Sequence, residues 1–212
     1  INGVELRAAI AQHVNRARHT RYTAAQVLVS CGAKHALFNV FQALCQPGDE
    51  VVLLSPYWVS FPALVRLAGA TPVIVPTREA DGFQPDVAAI RKALSGATKV
   101  LGVNSPSNPT GAVASRASLD ALAALALERN LVIVTDEIYD ELVYPPAAHV
   151  SIVQLNPQMA EGTVLIGGVS KTYSMTGWRI GWAVGPEPLI EAMTTIQSHS
   201  TSNPASISQH AA

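Results

Sequence analysis

Short apolar runs rich in β-branched residues alternate with amphipathic segments along most of this 212-residue chain. The runs typical of buried strands are 26–30, 50–54, 72–75, 99–103, 131–135 and 164–166. The segments with helical periodicity are 5–18, 34–44, 60–67, 86–94 and 118–128. Strands that are apolar throughout and separated by helices indicate a largely parallel sheet covered on both faces. The sequence therefore predicts an α/β fold with a mainly parallel, mixed β-sheet flanked by helices.

A further apolar run, 179–185, predicts a strand of the opposite direction. It follows the preceding strand too closely for a crossover helix, and a parallel crossover needs roughly a dozen residues or more. With no repeat, low-complexity tract or linker, residues 1–212 are expected to form one domain. The chain begins at Ile1 without a methionine and stops soon after a predicted helix, so both termini are expected to be truncated.

Composition and charge narrow the classes of function. The net charge is −1 without a basic cluster, so neither nucleic acid nor an anionic membrane surface is indicated as a partner. The sequence contains no signal peptide and no run of roughly 18 apolar residues, so a cytoplasmic protein acting on small molecules is expected. The two cysteines and six histidines lack the spacing of ligand pairs, so no metal site is expected.

Chemically distinctive residues follow the ends of successive predicted strands. In an open α/β sheet, ligands bind beyond the carboxyl ends of the strands, so these residues are expected at one edge. They are Gly32-Ala33-Lys34 after the first strand, Tyr57-Trp58 after the second, Asn108 after the fourth, Asp136 after the fifth and Lys171 after the sixth.

Lys171 is one of four lysines and stands among small hydroxyl residues and glycines. A lysine in this position can form a Schiff base with an aldehyde, although position alone also fits a lysine in a surface loop. Upstream of it, Asn-Pro-Thr-Gly at 108–111 and Asp-Glu-Ile-Tyr at 136–139 occur in the order that a pyridoxal-phosphate site requires. The combination predicts that pyridoxal 5'-phosphate binds through Lys171.

This cofactor needs an acid opposite its pyridine nitrogen and donors to its phenolate oxygen. Asp136 would keep the nitrogen protonated, because an ion pair in a low-dielectric site favours both charged forms. Tyr139 could donate to the phenolate oxygen, and Asn108 opens a turn fixed by proline and glycine. Taken singly, these residues could instead be a helix N-cap, a core tyrosine and an ordinary turn.

The cofactor also needs a ring to stack on and a cradle for its phosphate. Trp58 could stack on the pyridine ring, or belong to the core. The helix after Gly32 offers free backbone N–H groups to an anion, and Arg179, expected on the returning strand, offers a bidentate guanidinium. Arg179 could also be a surface arginine. Glycine-rich nucleotide-binding loops and a serine-nucleophile elbow are absent from the sequence.

Segments 105–111, 135–139 and 170–181 together resemble the large domain of class I/II aminotransferases, the fold type I pyridoxal-phosphate enzymes. The resemblance runs from about Gly3 to the end, and segment 55–60 is similar to bacterial aspartate or prephenate aminotransferases. It implies Lys171, Asp136 and Tyr139 as catalytic residues, with Lys171 as the Schiff-base lysine and proton shuttle. The cofactor-binding residues that it implies are Gly32, Ala33, Lys34, Trp58, Asn108, Asp136, Tyr139, Ser170, Lys171 and Arg179.

The resemblance also implies the reaction, which is transfer of an amino group from an aspartate-like, aromatic or glutamate donor to a 2-oxo acid. It further implies a homodimer and a small domain, with the carboxylate-binding arginine, outside 1–212. Gly168 departs from the family pattern, since many members carry a phosphate-binding serine there; phosphate affinity is expected to be lower unless Ser170 compensates. A lyase or synthase on the same fold, and an aminotransferase-like sensor domain of a transcriptional regulator, are the alternatives.

Overall fold

A computed structural model describes residues 3–212, whose strands form one seven-stranded sheet. The order across the sheet is β1-β7-β6-β5-β4-β2-β3. The strands are β1 Val27–Ser30, β2 Glu50–Ser55, β3 Thr71–Pro76, β4 Thr98–Asn104, β5 Val132–Asp136, β6 Thr163–Gly168 and β7 Gly181–Val184.

Helices connect most of these strands. They are α1 Val4–Arg18, α2 Ala33–Leu44, α3 Ser60–Leu67, α4 Val87–Ala93, α5 Arg116–Arg129, α6 Pro157–Glu161, α7 Glu187–Ser198 and α8 Ser206–Ala211. The predicted α/β fold is confirmed, and α1 to α5 lie where the helical periodicity indicated. The sequence did not delimit α6 to α8. The prediction of one domain over 1–212 stays a prediction, and residues 1 and 2 lie outside the described part.

The sheet is mixed, as predicted. Strands β2 to β6 pair in parallel, whereas β7 is antiparallel to both β6 and β1. The prediction that β7 includes Arg179 was wrong, because the strand begins at Gly181. A 3-10 turn, Thr176–Trp178, precedes it, and Arg179 ends that turn with a left-handed φ of 55°. Arg179 is therefore exposed beside the strand end and is not part of the pleat.

Both faces of the sheet are covered, which explains why its strands are apolar throughout. Side chains alternate between the faces along a strand. Leu101 belongs to the buried cluster that includes residues of α1 and α5, and the preceding Val100 belongs to the cluster on the opposite face that includes residues of α2 and α3. Both side chains have an exposed fraction of 0%.

The parallel strands place their carboxyl ends side by side. Asn104, the last residue of β4, is the register partner of Asp136, the last residue of β5. Asp136 in turn pairs with Ile166 of β6, two residues before that strand ends. Polar residues that follow these strands therefore meet at one edge. Within residues 3–212, no helix combines the length and the apolar character needed to cross a bilayer.

Candidate active site

A cleft of about 330 Å³ opens at this edge of the sheet. It brings together almost all of the residues that the sequence singled out, from five separate segments of the chain. The lining residues are Ala33, Lys34, Leu37, Trp58, Asn104, Asn108, Asp136, Ile138, Tyr139, Ser170, Lys171, Thr176 and Arg179. Of the predicted cofactor residues, Gly32 alone is absent from the lining, and it lies directly beneath Arg179.

Asp136 is the buried acid of the cleft, with an exposed fraction of 5%. It ends β5, and a turn follows it, so the alternative of a helix N-cap is wrong. Its Oδ1 accepts a hydrogen bond from the backbone N–H of Ile138 at 3.1 Å, and no cation of the described residues forms an ion pair with it. Burial raises the pKa of Asp136 to about 7; the Ile138 N–H opposes this increase and the charge of Glu137 adds to it.

Lys171 lies in the turn directly after β6, and its side chain is exposed to the cleft. Its Nζ lies 5.6 Å from the centroid of the Tyr139 ring. The Tyr139 hydroxyl accepts a long hydrogen bond of 3.4 Å from Nδ2 of Asn108. An amine, a phenol and a carboxamide thus line the same cleft as the buried acid.

Three glycines shape an anion-binding corner around the start of α2. Gly32 precedes that helix with a φ of 86°, and a Cβ on it would lie 2.3 Å from Nη2 of Arg179. A Cβ on Gly181 would lie 2.2 Å from the backbone nitrogen of Ala33, so only glycine lets β7 approach the helix start this closely. The third, Gly168, packs against Gly181 across the β6–β7 pair.

Unpaired donors remain in this corner. Arg179 donates from Nη1 to the Thr176 carbonyl at 2.8 Å and from Nη2 to the Cys31 carbonyl at 3.4 Å. The other guanidinium N–H groups have no acceptor within the described residues, and the same holds for the backbone N–H groups of Ala33 and Lys34. Backbone donors at a helix start together with a guanidinium form a site suited to a phosphate.

Trp58 and Lys34 form the opposite wall. The Lys34 Nζ lies 4.9 Å from the centroid of the Trp58 ring, which is a cation–π distance, and Phe61 meets the same ring edge-on at 5.9 Å. Trp58 is half-buried, so part of its ring is available to a ligand in the cleft.

The structure explains the glycine at position 168. A Cβ there would lie 2.9 Å from Cδ1 of Ile138 and 3.0 Å from the Ile180 carbonyl oxygen. A serine at this position would therefore require the Ile138 side chain and the adjacent β7 backbone to shift. Ser170 is half-buried and lines the cleft, so it is the hydroxyl that the cleft offers near the lysine.

Asn104 is a cleft residue that the sequence reasoning missed. Its Nδ2 donates to the Asp136 carbonyl at 2.9 Å, and its Oδ1 accepts from the backbone N–H of Asn108 at 2.7 Å. It thereby joins the end of β5 to the loop that carries Asn108. Its position, a polar residue at the carboxyl end of a parallel strand, was the signal that could have identified it.

A mixed sheet of this order with an amine, a buried acid and an anion corner at its carboxyl edge defines the large-domain fold of the fold type I pyridoxal-phosphate-dependent transferases. The aminotransferase class I and II family profile matches residues 3–212. The chain belongs to that family.

Individual relatives agree with this assignment. Aspartate aminotransferase of Bacillus subtilis is 47% identical over 208 residues, which are 98% of this chain and 53% of the relative. Aspartate/prephenate aminotransferase of Thermus thermophilus is 47% identical over 98% of this chain and 53% of its own length. The structure of aspartate aminotransferase from Thermotoga maritima superposes with a TM-score of 0.96 and 42% identity, covering 99% of this chain and 56% of that one. The chain spans about half the length of the relatives it matches.

Proposed function

We propose that this chain carries the pyridoxal-phosphate site of an aminotransferase that moves an amino group between an amino acid and a 2-oxo acid. The observation that carries the proposal is the arrangement around Asp136. A buried carboxylate without a cationic partner among the described residues faces the same cleft as Lys171 and the anion corner at Gly32. Each of these features lacks a partner that pyridoxal phosphate would supply.

The residues present fit the cofactor. A protonated pyridine nitrogen is the cation that Asp136 lacks, and such a partner would lower the raised pKa of its carboxyl group. A phosphate would satisfy the free N–H groups of Ala33 and Lys34 and the guanidinium of Arg179. Tyr139 and Asn108 would donate to the phenolate oxygen, and the Trp58 ring would stack on the pyridine ring.

When bound, the cofactor supplies an electron sink for charge that develops at the substrate Cα. Asp136 would act by holding the ring nitrogen protonated through its negative charge. Lys171 would act as the proton shuttle, because its amine lines the same cleft as Asp136 and lies 5.6 Å from the centroid of the Tyr139 ring. Its Nζ would take a proton from Cα of the donor amino acid and, in the second half of the reaction, deliver a proton to Cα of the amino acid formed from the 2-oxo acid. Such general acid–base steps typically contribute about 10²–10⁴-fold.

An aspartate-like donor is the substrate class that we propose. The relatives are named aspartate and aspartate/prephenate aminotransferases, and Lys34 brings a second ammonium group into the cleft. Homodimer formation, which the family resemblance implied, and a cytoplasmic location, which the lack of a signal peptide and of a long apolar run suggested, belong to this proposal. Light scattering and cell fractionation would measure them. Neither the lyase or synthase alternative nor the regulator is favoured by the names of the relatives.

Covalent labelling tests the assignment directly. The purified protein incubated with pyridoxal phosphate should gain a visible absorption band, and borohydride should fix the cofactor to the peptide that contains Lys171. The Lys171→Ala variant should lose the label. Lys34→Met is the matched control, since it removes the other cleft amine and should keep the label. A label found on Lys34, Lys92 or Lys99 would contradict the proposal.

Product analysis separates the reaction classes. An aminotransferase should convert aspartate and 2-oxoglutarate into oxaloacetate and glutamate in equal amounts, without release of ammonia. Ammonia or a cleaved side chain formed from one amino acid alone would favour a lyase. Cofactor binding to Lys171 without turnover of any amino acid by the full-length protein would favour the sensor domain.

A further inference from the structure

A buried polar cluster lies behind the cleft, on the far side of the strand end that carries Asp136. Its centre is Glu137, with an exposed fraction of 2%. The two carboxylates are adjacent in sequence but point to opposite sides, because side chains alternate along a strand. Asp136 lines the cleft, whereas Glu137 lines a separate small cavity beside α1.

The Glu137 carboxylate uses both of its oxygens. Oε2 accepts from Nε of Arg18 at 3.3 Å and lies 3.0 Å from Nε2 of His149. Oε1 accepts from the hydroxyl of Ser151 at 2.6 Å and from that of Thr135 at 3.3 Å. Three segments of the chain, namely α1, the end of β5 and the loop 149–151, therefore meet at this one side chain.

Arg18 makes a second ion pair, which links the cluster to the turn that carries Tyr139. Its Nη2 donates to Oδ2 of Asp140, so the same guanidinium binds the carboxylates of residues 137 and 140. Tyr139 lies between these two residues, in a turn closed by a hydrogen bond of 3.0 Å from the Asp140 N–H to the Glu137 carbonyl. Arg18 thus fastens both ends of the turn that presents the Tyr139 hydroxyl to the cleft.

On the cleft side, the two functional groups that the turn carries make few contacts of their own. The Tyr139 hydroxyl makes only the 3.4 Å bond from Asn108, and the Asp136 carboxylate accepts only the Ile138 N–H within the described residues. A partly formed buried ion cluster is worse than none, since a charge left without its partner remains desolvated. Removing the charge of Glu137 should therefore loosen the turn as well as weaken the fold.

We propose that Glu137 is a positioning residue that, through Arg18, holds the turn from Asp136 to Tyr139 against α1 and so fixes the acid and the phenol in the cleft. The inference rests on the proposed function, because it concerns groups that would hold pyridoxal phosphate. It predicts effects on the turn in the cofactor-free protein and on cofactor affinity, in addition to any loss of stability.

The Glu137→Gln variant tests the proposal, because it keeps the shape and the bonds to hydroxyls but removes the charge that faces Arg18. Hydrogen exchange measured by mass spectrometry on the cofactor-free protein should become at least tenfold faster in the peptide 137–142. The dissociation constant of pyridoxal phosphate should rise at least tenfold. In the full reaction, kcat should fall more than KM for the amino acid changes. Glu137→Asp, which keeps the charge, should recover part of each effect.

Ile90→Ala is the matched control for stability, because Ile90 is fully buried in α4 and lines neither the cleft nor the small cavity beside α1. It should lower the unfolding midpoint without faster exchange in 137–142 and with cofactor affinity within twofold of the wild type. If Glu137→Gln does not fold, Ser151→Ala removes the 2.6 Å bond to Glu137 and should shift the same readouts in the same direction by less.

Two results would overturn the inference. The first is that Glu137→Gln and Ile90→Ala, compared at the same decrease in unfolding midpoint, show the same hydrogen exchange and the same cofactor affinity. Glu137 would then have a purely structural role, and the proposed function would stand. Absence of cofactor binding by the wild-type protein would overturn the proposed function and this inference together.

Discussion

Replacing Asp136 by asparagine keeps the shape of the side chain and removes its charge. The pKa of Asp136 is raised from 3.8 to about 7, which is about 3 pKa units at about 1.4 kcal/mol each. Ionising the carboxyl group in the cofactor-free cleft therefore costs about 4 kcal/mol. For Asp136 to be ionised in the loaded cleft, the attraction of a pyridinium partner must be at least this large, and the amide cannot supply it. Since about 1.4 kcal/mol corresponds to a factor of ten, we expect kcat to fall by roughly 10³ in Asp136→Asn.

Single-turnover mixing of the cofactor-loaded variant with aspartate, followed by absorbance, measures this loss apart from cofactor binding. Asp136→Glu keeps the charge and should lose less. Asp86→Asn is the control, because Asp86 caps α4 by accepting hydrogen bonds from the backbone N–H groups of Ala88 and Ala89. This substitution should leave turnover unchanged. Turnover of Asp136→Asn close to that of the wild type would refute the reasoning, since it would show that the charge at this position is not used.

Three further predictions follow from particular contacts. The pKa of Asp136 is about 7 in the folded chain and ordinarily 3.8, so the cofactor-free protein should lose stability relative to Asp136→Asn as pH rises from about 4 to about 7. If the unfolding free energies of the two proteins changed in parallel across that pH range, the prediction would be contradicted. Gly181→Ala should displace the start of α2 and weaken pyridoxal-phosphate binding at least tenfold, because the new Cβ would lie 2.2 Å from the Ala33 nitrogen. Gly177→Ala is the control and should leave binding unchanged, because a Cβ at that position has no other atom within 4 Å. Equal affinities in the two variants would count against the packing argument. Gly168→Ser should fail to improve binding, because its Cβ would press on Ile138 and the β7 backbone; a higher affinity measured by equilibrium titration would show that these neighbours can shift.

Much of the architecture was predictable because it depends on local pattern. Runs buried on both faces stay apolar along their whole length, so β5 was predicted at 131–135 and lies at Val132–Asp136. The edge that carries Asn108, Asp136 and Lys171 followed from one rule about parallel strands, and these residues do line one cleft.

What escaped prediction depends on contacts between distant segments. Arg18 and Glu137 are 119 residues apart, and no local pattern connects a helix-end arginine to that carboxylate. The position of Arg179 was predicted wrongly because its left-handed φ of 55° interrupts what reads as a continuous apolar run. The need for glycine at position 181 appears only when β7 is placed against the start of α2, where a Cβ would meet the Ala33 nitrogen.

The dipeptide Asp136-Glu137 shows how one strand end serves two environments. Alternation directs the first carboxylate into the cleft, where burial raises its pKa and no cation of the described residues pairs with it. It directs the second into a cluster where Arg18, His149 and Ser151 satisfy its oxygens. The charged side-chain contacts that anchor the strand end thus lie on the side of Glu137, which leaves the Asp136 carboxylate available to a cationic ligand. A carboxylate kept without a cationic partner yet held in place is what recognition of a pyridinium nitrogen requires, and the neighbouring residue provides the anchoring that the cleft itself lacks.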